Sequence, residues 1–99
     1  MVNLFMLFFL KSNKKECILL TIREATAKRI LFLCSEKDIT INKLSTICGI
    51  TQSTLNNIIN GQSKNPTIST IKKICDGLEI SLQEFFDCTE FLELEQEIK

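Results

Sequence analysis

The stretch that most constrains the fold of this chain is residues 41–60, INKLSTICGITQSTLNNIIN. Leu44 and Cys48 are four residues apart, so they would lie on one face of a short helix. Leu55 and Ile58 are three apart and would lie on one face of a second helix. The segments are joined by a three-residue turn at Cys48-Gly49-Ile50. The sequence therefore predicts two short helices joined by such a turn, which is a helix-turn-helix.

Signals for helix starts and helix ends recur along the chain. Gly49 and Gly61 each follow a predicted helix, where glycine readily adopts the left-handed conformation that ends it. A hydroxyl residue also precedes each helical stretch, where its oxygen can accept a hydrogen bond from an amide of the first turn. These residues are Thr21, Thr40, Thr51, Thr67 and Ser81. The predicted helices are residues 21–37, 41–48, 52–60, 68–78 and 82–86, so the fold class is all-α with five helices.

Apolar residues at helical spacing predict which faces of the first and fourth helices are buried. The inward positions are Ala27, Ile30, Leu33, Cys34, Ile68, Ile71, Ile74, Cys75 and Leu78. Leu31 and Phe32 fall outside this stripe, and we expect solvent to reach them.

Charge is distributed unevenly along a chain whose net charge is zero. Residues 1–73 hold 11 Lys or Arg against 4 acidic residues, whereas residues 74–99 hold one Lys against 8 acidic residues. Between Ile39 and Cys75 there is no Asp or Glu. A surface that faces phosphate groups must avoid carboxylates as much as it needs cations. This acid-free block therefore favours a nucleic acid as the partner.

The five cysteines occur without a CxxC spacing in a chain that has no histidine, and their number is odd. A metal site and a disulfide framework are therefore not expected. The cysteines within predicted helices fit better as small buried hydrophobic residues, and reduced thiols indicate the cytoplasm. No cofactor and no enzymatic activity are expected, because the chain has no histidine, no phosphate-binding loop and no paired carboxylates on a predicted helix face.

The two ends of the chain differ in composition from the middle. Residues 1–20 begin with MVNLFMLFFL, which is too short to span a bilayer, since a span needs about 20 apolar residues. Its positive charges follow the apolar run, unlike those of a signal peptide, so no membrane association is expected. Three interpretations stay open: a weakly ordered extension, an added edge strand or helix, or a surface for a partner. We expect a domain at residues 21–88 and an acidic tail at 89–99.

From Ala27 to Phe86 the chain resembles the Cro/repressor-type (Xre) helix-turn-helix family, without gaps over about 60 residues. The resemblance rests on the pattern of residues 41–60 and on NGQSKNPTISTIKKICDGLEISLQEFF, which is similar to the family's loop, fourth helix and fifth helix. It implies a five-helix, lambda-repressor-like DNA-binding domain. Two positions depart from the family pattern: Ile41 replaces a frequent Gln, and Glu79 replaces a frequent Gly or Asn.

In this family the third helix enters the major groove and the second crosses the DNA backbone. On matching positions, the implied base-reading residues are Gln52, Ser53, Asn56 and Asn57. Their chemistry agrees, because Gln and Asn amides can pair with adenine and Ser can serve several bases. The implied phosphate-contacting residues, which include the caps of the second and third helices, are Thr40, Asn42, Lys43, Thr51, Thr54, Asn60 and Lys64. The missing Gln at position 41 removes a side chain that often supports the first reading residue.

The resemblance implies a sequence-specific regulator, in particular a repressor, that binds a palindromic operator in double-stranded DNA as a homodimer. A single small domain contacts few base pairs, so pairing is expected on physical grounds too. The family pairs through the fifth helix and the residues after it, here Phe85, Phe86, Phe91 and Leu92. The alternative is an antitoxin-like adaptor whose terminal segments bind a partner protein, with DNA binding secondary.

Overall fold

Five α-helices follow one another in the computed structural model, which describes residues 19–61 and 65–98. They are α1 (Ile22–Lys37), α2 (Ile41–Cys48), α3 (Gln52–Asn60), α4 (Ile68–Leu78) and α5 (Leu82–Phe86), and a single 3₁₀ turn (Thr89–Phe91) comes after them. The predicted all-α class and its five helices are confirmed. None of the helices in the described residues is long and apolar enough to cross a membrane.

Each helix is preceded by the hydroxyl residue that the sequence indicates as its cap. The side-chain oxygens of Thr21, Thr40, Thr51, Thr67 and Ser81 each accept a hydrogen bond from the backbone amide three residues later. At Thr21 the bond is reciprocal, because its own amide donates to Oε1 of Glu24 at 2.9 Å. This backbone bond lowers the pKa of Glu24. Each cap contributes about 1 kcal/mol by satisfying an amide that has no partner within its helix.

The core lies where all five helices meet. Its largest fully buried side chains include Phe85, Ile30, Leu44, Leu55 and Ile74. In this core α1 packs on α3, α2 packs on both α3 and α4, and α4 packs on α5. Leu31 and Phe32 are exposed, as predicted.

One inward assignment is wrong, because Ile68 is 66% exposed. Ile68 opens α4, and there a cleft of about 280 Å³, lined also by Ile22 and Pro66, leaves it open to solvent. The other predicted inward residues of α1 and α4 are buried: Ala27, Ile30, Leu33, Cys34, Ile71, Ile74, Cys75 and Leu78.

Helices α2 and α4 pack closely together at Gly77. A β-carbon built on Gly77 would lie 2.6 Å from Sγ of Cys48 and 2.9 Å from Cγ2 of Ile47. Glycine therefore lets α4 pack against the end of α2. Cys48 is half-buried at this contact, and burial raises the pKa of its thiol to about 11.

A buried arginine joins α1 to α5. Nε of Arg29 donates a hydrogen bond to the carbonyl oxygen of Phe85 at 2.7 Å, and Nη2 donates to that of Glu84 at 2.7 Å. Its guanidinium carbon also lies 5.5 Å from the ring centroid of Phe32. Because helix ends leave carbonyl oxygens without partners, Arg29 supplies the donor that the Phe85 carbonyl oxygen needs. It adds a second donor to the Glu84 carbonyl oxygen, which also accepts the Asp87 amide at 3.3 Å.

The tail after α5 folds back onto the helices. The rings of Phe86 and Phe91 pack edge to face with centroids 4.9 Å apart. Farther on, Leu94 forms an isolated parallel bridge with Leu20, and the Glu95 amide donates to the Leu20 carbonyl oxygen at 2.9 Å. Residues up to at least Glu95 thus pack beside the start of α1. The domain limits at residues 20/21 and 88/89 stay predictions, and most of the 1–20 extension lies outside the described residues.

Candidate nucleic-acid interface

Helix α3 is held by its caps and by one buried face. Thr51 caps its start, and Gly61 ends it in the left-handed conformation with φ of 74°. Leu55 and Ile58 are buried against the core. The caps and the buried face fix the orientation of α3, and its opposite side faces solvent, where it can contact a ligand.

That free side carries the predicted base-reading residues. Gln52, Ser53 and Asn56 are exposed, and Asn57 is half-buried. Asn56 follows Gln52 by four residues and Ser53 by three, so the three share one face of the helix. This face presents amide and hydroxyl groups, which are both donors and acceptors of hydrogen bonds.

The cap hydroxyl of Thr51 already has two partners. It accepts a hydrogen bond from the Thr54 amide at 3.1 Å and donates one to the Thr54 hydroxyl at 2.9 Å. In this arrangement the proton of the Thr54 hydroxyl is left to point outward. A phosphate contact at this corner therefore falls more naturally to Thr54 than to the Thr51 side chain.

The start of α2 offers a second set of polar groups. The Thr40 hydroxyl oxygen accepts a hydrogen bond from the Lys43 amide at 3.0 Å, so the hydroxyl proton of Thr40 remains available as a donor. Thr40, Asn42 and Lys43 are all exposed. Asn60 is exposed at the other end of α3, whereas Lys64 lies outside the described residues. The structure thus brings the described phosphate candidates to the ends of α2 and α3.

The electrostatics of these helix ends suit an anion. Neither α2 nor α3 has an acidic residue in its first turn. Free backbone amides and the positive end of the helix dipole therefore act there without a competing carboxylate. Ile41, at the position of the frequent family Gln, is half-buried and packs against the core.

Sequence reasoning did not single out Arg23, on the first turn of α1. Its guanidinium lies over Gly61, since a β-carbon built on Gly61 would be 2.7 Å from Nη1. Arg23 belongs to a helix that is distant in sequence from α3, so no local pattern indicates this contact. Only the packing of α1 on α3 creates it.

The predicted dimer residues differ in their exposure. Phe85 is fully buried, with 0% of its surface exposed, so in this chain it is a core residue with no surface to offer a partner. Phe86 and Phe91 are half-buried, and Leu92 is 77% exposed. Leu92 is thus the member of the set that is most available to a second copy.

The fold and this surface define a helix-turn-helix DNA-binding domain. Residues 29–90 match the family model of the Cro/C1-type HTH DNA-binding domain. The chain therefore belongs to the Cro/C1-type helix-turn-helix family, as the resemblance of residues 27–86 indicated, and it is a DNA-binding regulator by family.

Two solved structures are similar to the chain. The crystal structure of the prophage Lp1 protein 11 is 38% identical, with a TM-score of 0.68, and the match covers 77% of this chain and all of that one. An HTH_3 family transcriptional regulator from Vibrio cholerae is 28% identical, with a TM-score of 0.63, and the match covers 71% of this chain and 39% of that one. No curated protein matches.

Proposed function

We propose that the protein is a transcriptional repressor that binds a palindromic operator as a homodimer and reads the major groove with α3. The observation that carries this proposal is the exposed, uncharged polar face of α3 within a region free of carboxylates. Gln52, Ser53 and Asn56 present donors and acceptors that match base edges. Repression needs only occupancy of a promoter, which binding by itself supplies. A cytoplasmic location belongs to the same proposal and agrees with the free thiols of the described cysteines.

The ends of α2 and α3 would set the position of the protein on DNA. Contacts from Thr40, Lys43 and Thr54 to phosphates fix orientation but carry no sequence information. Base contacts from α3 would then supply the preference for one sequence. Two kinds of variant are therefore expected to behave differently, and this difference makes the proposal testable.

Selection of duplexes from a random pool by the purified full-length chain tests the proposal. We expect one enriched motif with two-fold symmetry and half-sites about one helical turn apart. Gln52→Ala should weaken binding to that motif by about 1–3 kcal/mol and leave binding to a scrambled duplex unchanged. Gln83→Ala is the matched control, because Gln83 is also exposed but lies on α5. Absence of DNA binding at low salt, where nonspecific binding is strongest, would refute the proposal.

Pairing of two copies needs a separate measurement. Sedimentation of the full-length chain should give a dimer, and Leu92→Asp should shift it toward monomer without changing its helical content. Asp is expected to be tolerated in the monomer because Leu92 is 77% exposed. A dimer that persists in this variant would place the contact elsewhere.

Exposed apolar side chains favour one second candidate, the adaptor that binds a partner protein. Leu19 is 44% exposed and Ile98 is 88% exposed, so both ends of the described chain present apolar surface. Under this candidate, the purified chain would associate without a defined stoichiometry until the product of a neighbouring gene is added. A defined dimer that binds DNA specifically without this partner protein would argue against the adaptor.

A further inference from the structure

The packing of α1 against the end of α3 creates a basic cleft beside the proposed reading helix. This cleft has a volume of about 430 Å³. The residues that matter for its chemistry are Arg23 and Lys28 from α1 and Asn60 and Gly61 from the end of α3. It lies apart from the α2 and α3 N-termini described above.

The guanidinium of Arg23 lies against the glycine that ends α3. A β-carbon on Gly61 would lie 2.7, 3.1 and 3.2 Å from Nη1, Cζ and Nη2 of Arg23. The guanidinium therefore lies against the surface that the missing side chain leaves open. Its planar fork of donors suits a phosphate.

With α3 in the major groove, as proposed above, its length would place a DNA backbone strand near this cleft. Its nine residues make it roughly 13 Å long, and the major groove is about 12 Å wide. A helix whose N-terminal part contacts bases therefore has its C-terminal end close to the strand that borders the groove. Asn60 and Gly61 are at that end, and Arg23 is packed against it.

The charge lining this cleft is positive overall. Arg23 and Lys28 contribute two cations, and Glu24 contributes one carboxylate. Glu24 accepts a hydrogen bond from the Thr21 amide at 2.9 Å, so this carboxylate is engaged at the start of α1. The cleft thus keeps a net positive charge for an anion.

We propose that this cleft receives a DNA backbone phosphate and that Arg23 is the residue that binds it. The inference rests on the proposed function, because it assumes that α3 lies in the major groove. It adds to that function a clamp from α1, which would contact the backbone at the end of α3 opposite to the Thr51 cap. A phosphate contact strengthens binding to all sequences alike.

The test is Arg23→Gln, whose planar amide can still lie over Gly61 but carries no charge. Affinity for the selected and for a scrambled duplex should fall equally, by about tenfold at 100 mM salt. The slope of log affinity against log salt should decrease in magnitude by about 1. Arg23→Lys should retain the slope. The control Lys73→Ala removes one charge from the exposed side of α4 and should change neither quantity.

Each other outcome has a defined meaning. If the wild-type chain binds DNA and Arg23→Gln lowers only the melting temperature, Arg23 is a structural residue and the inference fails while the proposed function stands. If Lys73→Ala lowered DNA affinity as much as Arg23→Gln does, the loss would reflect the net charge of the protein rather than a contact of Arg23. That result would also overturn the inference. If the wild-type chain binds no duplex at low salt, the proposed function fails, and the clamp fails with it.

Discussion

Replacing Arg29 by methionine should destabilise the domain strongly, although Arg29 is a charged residue. Methionine keeps an unbranched side chain in the core but removes the two donors that reach the carbonyl oxygens of Phe85 and Glu84 at 2.7 Å. The bond to Phe85 is buried, and the bond to Glu84 is partly buried. A buried carbonyl left without a partner costs about 1–3 kcal/mol.

The magnitude follows from these two bonds. The Phe85 carbonyl would lose its donor, whereas the Glu84 carbonyl keeps the Asp87 amide at 3.3 Å and loses one charge-assisted bond. We therefore expect a total loss of about 2–4 kcal/mol. For a domain of this size each kcal/mol shifts the melting temperature by about 4–8 °C, and the melting temperature should therefore fall by roughly 8–30 °C. Urea unfolding followed by circular dichroism measures the loss directly. An unchanged slope with urea would show that the unfolded state is not altered.

A matched variant separates the carbonyl bonds from the aromatic contact of Arg29. Phe32→Ala removes the ring that lies 5.5 Å from the guanidinium carbon, at a half-exposed position. This change should cost only about 0.5–1 kcal/mol. Arg29→Met should keep its DNA affinity when measured well below its melting temperature, because Arg29 is only 8% exposed. A loss of stability below about 0.5 kcal/mol, within the usual range for surface substitutions, would refute the reasoning.

Three further predictions concern the contact between α2 and α4 and the end of α4. Gly77→Ala should destabilise by about 1–3 kcal/mol through overpacking, and less when combined with Cys48→Ala, which removes the sulfur 2.6 Å away; a double-mutant cycle in urea measures the difference. Glu79 has φ of 62°, so Glu79→Gly should stabilise the domain by about 0.5–1 kcal/mol, whereas Glu79→Ala should not. Equal melting temperatures for these two variants would contradict this prediction. Burial raises the pKa of Cys48 from 9.0 to about 11, so its thiol ionises first in the unfolded chain. The free energy of unfolding should fall between about pH 9 and 11, and Cys48→Ala should reduce that fall.

The helices could be predicted from the sequence because their determinants are local. A threonine or serine cap and apolar residues at three- and four-residue spacing lie within the helix that they define. The same is true of the turn at Gly49, which has φ of 71° as its position suggests. Asp38, with φ of 57°, carried no such signal. Asp tolerates this conformation better than most residues, but its presence alone does not require it.

Contacts between distant residues could not be predicted in the same way. Arg29 is 56 residues from Phe85 in sequence, and arginine is seldom buried, so no local pattern indicates this contact. The need for glycine at position 77 arises only when α2 packs on α4. The contact of Arg23 with Gly61 likewise depends on how α1 meets α3. The candidate interface was therefore predictable within α2 and α3, where one helix face carries it, and not where separate helices contribute.

The central claim is that α3 reads DNA while the ends of α2 and α3 contact the backbone. Titration of the isotope-labelled protein with its selected duplex, followed by the amide signals in NMR spectra, tests it most directly. We predict the largest shifts at Gln52, Ser53 and Asn56 and at the start of α2, with little change in α5. Large shifts confined to α5 and to the residues after it, with α3 unaffected, would contradict the account.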